Sequence, residues 1–370
     1  MDLPIPSATD VLNSTTPETM ISLYTYPERV VVAVFFILIS IFDVVGNSVV
    51  ILAVVFSKKL RTSTNVFVVS LSVADFIAGL SLPMSVVALL SPGDTWPFDT
   101  EAPCFVGGLF LFISSGSSLL NLACIALNRA VLIKRPMTTY LWLYTNRNIA
   151  VMVATVWAVA IFGILIPPLA GVGGFGLDRE HRTCSDLQNL PGGMTFDLIQ
   201  TITFYVVPLM VILTCYVIIF VHVRHHFKTQ KARSQENTAD VDATAASSSE
   251  KAKDHTLDPT AAKAADARRH RISRQQLQIT VNLFTAFCAF LVCVSPYCVT
   301  MVVTTNDRFR LFSAVLFLCN SWVNPIIYGA KHPQLKNVMR RLLRCQYSQI
   351  EEPSDTLKAL MACKKQQSNG

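Results

Sequence analysis

The chain has 370 residues, 52% of them hydrophobic and only 15% charged, with a mean hydropathy of +0.45. A soluble domain carries about a quarter charged residues, so an ordinary globular protein is excluded. The net charge of +7 gathers on one side of a membrane, as set out below, and needs no nucleic-acid partner.

Residues 1–28 contain no Lys or Arg, no apolar core and no small-residue cleavage site. No removable signal peptide is expected there, and the first apolar run should serve as its own insertion signal. Asn13-Ser14-Thr15 is a glycosylation sequon, usable at Asn13 if this tail lies outside. Apolar runs follow at Val30–Phe56, Asn65–Leu90, Cys104–Ile133, Asn148–Pro168, Met194–Val223, Ile279–Val303 and Phe309–Tyr328. Each approaches or exceeds the roughly 20 residues that cross about 30 Å of hydrocarbon as a helix. None alternates as a barrel strand must. The expected fold is an all-α membrane protein, a seven-transmembrane helix bundle within residues 29–330.

Orientation follows from the basic residues. With the amino end outside, the outer segments hold only Arg29, Arg179, Arg182, Arg308 and Arg310 of the 31 Lys and Arg. The positive-inside rule therefore puts the amino terminus outside and the tail in the cytoplasm, as in a multi-pass plasma-membrane protein. Ten cysteines sort by depth. Cys104 and Cys184 alone sit on the oxidising side, where they make one possible disulfide pinning the second outer loop over the bundle mouth.

That loop carries Gly171–Gly176 and Pro191-Gly192-Gly193, turn-rich runs in which no regular structure is expected. The third inner segment is poor in large apolar side chains, and its middle, residues 232–267, is expected to be disordered. Its ends, His222–Lys231 and Arg268–Arg274, read as basic continuations of the fifth and sixth helices, where a cytoplasmic partner would dock. Ser247-Ser248-Ser249 and Ser273 are candidate phosphorylation sites in it. In residues 331–345, Leu335, Val338, Met339, Leu342 and Leu343 recur at helical spacing among basic residues, predicting an amphipathic helix on the inner membrane surface. Cys345 ends it, a candidate for palmitoylation. Residues 346–370 form the cytoplasmic tail.

The polar residues left in the spans carry most of the chemistry. An ionised side chain inside a span costs roughly 2.5–3.5 kcal/mol on insertion scales, so Asp75 is a functional hypothesis by default. With it stand Gly46-Asn47, Asn128-Arg129, Trp157, Pro208 with Tyr216, Phe290 with Cys293 and Pro296, and Asn324-Pro325-Ile326-Ile327-Tyr328. In this order and at these depths, the chain resembles the rhodopsin-like (class A) G-protein-coupled receptors over Val30–Cys345.

The resemblance implies a receptor with no enzymatic activity that opens on its cytoplasmic side toward a heterotrimeric G protein, with arrestin and receptor kinases as further partners. It assigns coupling and activation to Asn128, Arg129, Tyr216, Phe290, Pro296, Asn324, Pro325 and Tyr328. It implies an allosteric sodium ion, and no other cofactor, at Asp75, Ser118, Asn320 and Asn324, with Asn47 and Ser321 nearby; hard oxygen donors suit such a cation. Pro208, Pro296 and Pro325 each free a backbone carbonyl and mark hinges.

Two departures stand out. The family's acid-Arg-Tyr run reads Asn128-Arg129-Ala130 here, and with Gln276 on the sixth helix Arg129 lacks its usual acidic partners, which predicts raised basal signalling. The rotamer-switch Trp of the sixth helix is replaced by Val294.

The ligand is expected in the outer half of the bundle, lined by Leu111, Phe112, Ser115, Gln200, Thr201, Phe204, Tyr297, Cys298, Met301, Ala314 and Leu318. Leu111 stands where amine receptors carry Asp, and Leu318 where opsins carry the retinal Lys. A monoamine and a Schiff-base pigment are therefore disfavoured. What remains is an apolar pocket rimmed by Arg179, Arg182, Arg308 and Arg310, for a neutral aromatic or lipid-like ligand with or without an acidic head. Asp197 keeps a basic ligand or peptide open. The Asn-Arg pair is similar to that of melatonin receptors, whereas Asn324-Pro325 departs from them. No span interior holds a His, against an intramembrane hydrolase, and no internal repeat suggests a transporter. The alternative is a receptor-fold protein that does not couple to G proteins, acting as a scavenger or dimer partner.

Overall fold

The computed structural model describes residues 23–92, 96–224, 284–285, 287–300, 303, 307–331 and 334–369. Asn13, Met301, Ser273 and Gln276 lie outside them, as does the third inner segment from residue 225. Inner and outer follow the charge asymmetry above.

Helix α1 spans Tyr26–Phe56, beginning four residues before its apolar run. The early start has a local cause: Glu28 accepts the N–H and the hydroxyl of Thr25, both at 2.9 Å, and Pro27 fits the first turn. Helices α2 (Ser63–Leu90) and α3 (Ala102–Lys134) follow. Thr62 caps α2 by accepting the Asn65 N–H. A short inner helix, α4 (Met137–Leu143), leads to α5 (Asn146–Leu169), which Thr145 caps through the Asn148 N–H.

Helix α6 runs Gly193–Arg224 and widens into π geometry at Thr201–Val206. Pro208 lacks the N–H that would return to the Phe204 carbonyl, which relaxes the helical ladder in that stretch. The sixth span is seen as α7 (Phe287–Thr300), and the rest of its apolar run is outside the described residues. Helix α8 (Asp307–Lys331) completes the bundle. Among the described residues six helices are long and apolar enough to cross a membrane, and α7 is a shorter apolar one.

The amphipathic helix appears as α9 (Leu335–Leu343), burying Leu335, Val338, Met339 and Leu342. One further helix, α10 (Asp355–Asn369), had no counterpart in the sequence reading. The segment before it hooks onto the first inner loop: Ser57 pairs with Pro353, Lys58 N–H donates to Glu352 O at 2.9 Å, and Ser354 N–H to Phe56 O at 2.9 Å. Lys58 and Lys59 pair with Asp355 and Glu351 at 2.9 and 2.7 Å.

One expectation is corrected. The outer loop is not wholly irregular: β1 (Phe175–Asp178) pairs antiparallel with β2 (Thr183–Asp186), taking Phe175 and Gly176 out of the glycine run. Asp178 closes the turn by accepting the N–H groups of Glu180 and His181, both at 3.0 Å. Phe175 packs edge-on to Phe196 of α6 and 5.2 Å from Phe112 of α3, so apolar burial holds the strand where glycine content argued for coil.

Candidate functional site

The centre of the bundle is a polar junction. Asp75 is buried in α2, where its carboxylate accepts from Ser118 of α3 at 2.8 Å and from Asn324 of α8 at 3.1 Å. Ser321 hydrogen-bonds to the same carboxylate. Three helices thus meet on one side chain. Asn320 is buried on the same helix as Asn324 but makes no hydrogen bond to Asp75 among the described residues. Asn47 turns instead to its own helix, donating to the Asp43 carbonyl at 3.0 Å.

Asp43 was missed by the sequence reading, although it stands in the middle of an apolar span and meets the same criterion as Asp75. It is only 1% exposed, and its Oδ1 has no hydrogen-bond partner among the described residues. Its Cβ lies so close to Gly79 that a Cβ there would come within 2.7 Å. Glycine at 79 is what admits a carboxylate between α1 and α2.

At the inner end, Asn128 replaces the family's acid and is fully engaged. Its Oδ1 accepts from Thr64 of α2 at 2.6 Å and its Nδ2 donates to Tyr140 of α4 at 3.2 Å. Arg129 is buried, with Tyr140 and Tyr216 among its neighbours. Tyr328 is also buried, its hydroxyl without a partner among the described residues. Trp157 donates to Ser70 at 3.1 Å, joining α5 to α2.

An aromatic chain runs outward from Tyr216. Phe287 stacks on it at 5.5 Å, Phe290 stacks on Phe287 at 6.2 Å, and Tyr205 follows at 6.2 Å. Tyr205 shares a 2.7 Å hydrogen bond with Ser295, one residue before Pro296, while Val294 is fully buried where the family's Trp would be.

The outer half holds a cavity of about 70 Å³. Leu111, Phe112, Ser115, Tyr297, Ala314 and Leu318 line it. Gln200, Thr201 and Cys298 are buried outside its wall. Phe204 does not line it. Its ring fills the space between α3 and α5, where a Cβ on Gly116 would come within 2.9 Å of it and one on Gly163 within 2.8 Å. Two facing glycines draw the ring into helix packing and away from the ligand space.

The sequence reading also missed Asp178 and His181 at the cavity's outer rim, where they stand with Arg310. Asp178 and His181 pair at 2.7 Å. Burial pushes the Asp178 carboxyl up, but hydrogen bonds from His181 and the charges of His181 and Arg310 outweigh it, holding the group below the usual carboxylate range. Cys104 and Cys184 form the expected disulfide, with Cα atoms 4.9 Å apart, and tie β2 to α3 over the cavity. Cys184 N–H also donates to Ser85 at 3.1 Å.

This architecture is a polar junction within a helix bundle, closed outside by a disulfide-tied hairpin. It matches the family model described as 7 transmembrane receptor (rhodopsin family) over residues 46–328, and the chain belongs to that family of membrane-spanning receptors. Among its relatives, "Protein trapped in endoderm-1" of Drosophila melanogaster is 29% identical over 319 residues, 84% of this chain and 76% of that protein. "Melatonin receptor type 1B-B" of Danio rerio is 28% identical over 324 residues, 85% and 81% of the two chains. The fold is that of squid rhodopsin, with a TM-score of 0.69, 20% identity and 91% of each chain covered.

Proposed function

We propose that the chain is a plasma-membrane receptor, amino terminus outside, that binds a small neutral aromatic or lipid-like ligand and activates heterotrimeric G proteins by opening its inner side. The observation that carries this reading is the Asp75 junction, in which a single buried carboxylate holds Ser118 and Asn324 on two other helices. A bond of this kind between moving helices is a bistable element that both ends of the bundle can bias. The oxygen donors of Asp75, Ser118, Asn320 and Asn324 fit a sodium ion, which would favour the closed arrangement. Leu111 and Leu318 in the cavity wall favour an apolar ligand over a monoamine or retinal. At about 70 Å³ the cavity is far below the roughly 300–1,000 Å³ of drug-sized sites, so binding would require the hairpin to shift outward.

Basal signalling is raised in this reading, because the position before Arg129 carries an amide rather than an acid. Glycosylation at Asn13, palmitoylation at the exposed Cys345, and docking of arrestin and receptor kinases on the inner side belong to the same reading.

The test is ligand-free G-protein activation in cells at matched surface level, comparing the chain with Arg129→Ala, Asp75→Asn and Asn128→Asp. Basal output that falls with Arg129→Ala, and falls roughly fivefold with Asn128→Asp (about 1 kcal/mol of restored charge-assisted bonding), supports the reading. No output from any version, across all G-protein classes, would favour the non-coupling scavenger or dimer-partner role.

A further inference from the structure

A second cavity exceeds the one at the ligand mouth. A crevice of about 480 Å³ opens at the inner end of the bundle, between α1, α8 and α9. Phe42, Val45 and Val49 form one wall, and Pro325 and Ile326 the other. Its back is closed where α1 crosses α8, since a Cβ on Gly46 would come within 3.1 Å of Pro325. Phe42, Val45, Ile326 and Leu343 are each about half exposed or more, so the crevice presents apolar surface to whatever fills it.

Its inner rim is cationic. Lys336, Arg340 and Arg344 line the crevice at four-residue spacing, the first two on one ridge of α9 and Arg344 at its C-cap, over roughly 12 Å. None of the three has an acidic partner among the described residues. The other inner cations nearby are matched by the tail. Lys58 pairs with Asp355 at 2.9 Å and Lys59 with Glu351 at 2.7 Å. Arg341, one residue round the helix from Arg340, donates to the Gln349 carbonyl and lies 4.0 Å from Glu351. The tail thus neutralises the cations that face it and leaves the row that faces the crevice.

We propose that this crevice is a binding site for an inner-leaflet inositol phospholipid carrying phosphomonoesters. One acyl chain lies between α1 and α8 against Val45 and Ile326, and the head is held by Lys336, Arg340 and Arg344. An apolar slot continuous with the hydrocarbon and capped by three cations matches an amphiphile with a multiply charged head. A single phosphodiester spans less than the length of the row, whereas a head with several phosphates engages all three. The lipid would sit against Pro325, beside the Asn324 that bonds Asp75.

The site rests on the inner orientation proposed above, but its test does not. The full chain is reconstituted in nanodiscs, which offer the lipid in both leaflets, and bound lipid is counted by native mass spectrometry. Phosphatidylinositol bisphosphate is compared with phosphatidylserine in a phosphatidylcholine background. The expected result is retention of the bisphosphate lipid about tenfold or more above phosphatidylserine. That preference should vanish in the triple variant Lys336→Gln, Arg340→Gln, Arg344→Gln and persist in Arg341→Gln. Filling the slot with Val45→Trp should also abolish retention, and soluble inositol trisphosphate should not bind. Equal retention by the triple variant, equal loss in Arg341→Gln, or binding of the soluble head alone would overturn the proposal. Each variant is compared only where its thermal transition matches the parent's.

Discussion

The placement of Phe204 gives a sharp test, because the two possible locations of its ring predict opposite behaviour. The ring is 5% exposed and sits against Gly116 of α3 and Gly163 of α5. Deleting it with Phe204→Ala should cost about 3–5 kcal/mol, the usual range for a buried aromatic. At a few degrees per kcal/mol the midpoint of thermal unfolding should fall on the order of 10 °C. Gly116→Ala in the parent forces a methyl to within 2.9 Å of the ring, and overpacking of this kind costs about 1–3 kcal/mol.

In the Phe204→Ala background the clash is gone, and the residue retains only the helix-propensity advantage of Ala over Gly, about 1 kcal/mol. Gly116→Ala should therefore destabilise the parent and be neutral or stabilising in the variant, a coupling of roughly 2 kcal/mol or more. The buried thiols of Cys215, Cys293 and Cys298 make the assay simple, since a thiol-reactive dye reports their exposure on heating. Equal costs of Gly116→Ala in both backgrounds would refute the packing argument. So would a Phe204→Ala chain that unfolds normally but loses its ligand response.

Cys184→Ser should lower thermal stability by about 2–5 kcal/mol and reduce surface expression, because the hairpin loses its covalent tie to α3; expression and midpoint are read together. The tail's hook onto the first inner loop should depend on pH. Hydrogen bonds from Lys59 and Lys58, and then their charges, hold Glu351 and Asp355 below the usual carboxylate range. Folded values that are depressed mean that the contacts stabilise above the ordinary carboxylate pKa and are lost as pH falls through the lower folded value. Spin labels on the inner loop and on Cys363 should stay close at about pH 7 and separate only once the pH falls below the ordinary carboxylate range, and no change would count against the ion pairs. Asp43→Leu should raise the unfolding midpoint, because a buried oxygen without a partner is replaced by apolar contact. A fall would mean that Asp43 has a polar partner, such as bound water or a cation.

The spans were legible because each is a long apolar run, and among the six described end to end the ends moved by only a few residues, as where Thr25 with Glu28 began the first helix early. Asp75, Ser118 and Asn324 were legible because polar groups in hydrocarbon stand out against their surroundings. The hairpin was not, since its strands are four residues each and glycine-rich, and they hold only because Phe175 finds Phe112 and Phe196 in space. The packing of Phe204 was not legible for a related reason: the direction of its ring depends on two glycines on other helices. The tail helix α10 and its hook could not be read locally, because their partners lie about 300 residues away in the first inner loop.

Asn128 shows how a departure from a family pattern is absorbed structurally. Losing the acid could have left two polar groups stranded at the inner end of α3. Instead Thr64 donates into the amide oxygen at 2.6 Å and the amide nitrogen donates to Tyr140 at 3.2 Å, so α2, α3 and α4 stay linked without a charge. Burying a carboxylate there would require a cationic partner to offset its desolvation, and an amide requires only neutral ones. The position therefore keeps its packing role while giving up its electrostatic hold on Arg129. On the proposed function, stability and basal activity should therefore be separable here. Thr64→Val should loosen the inner end by removing the 2.6 Å bond, whereas Asn128→Asp should leave it folded and change its resting output.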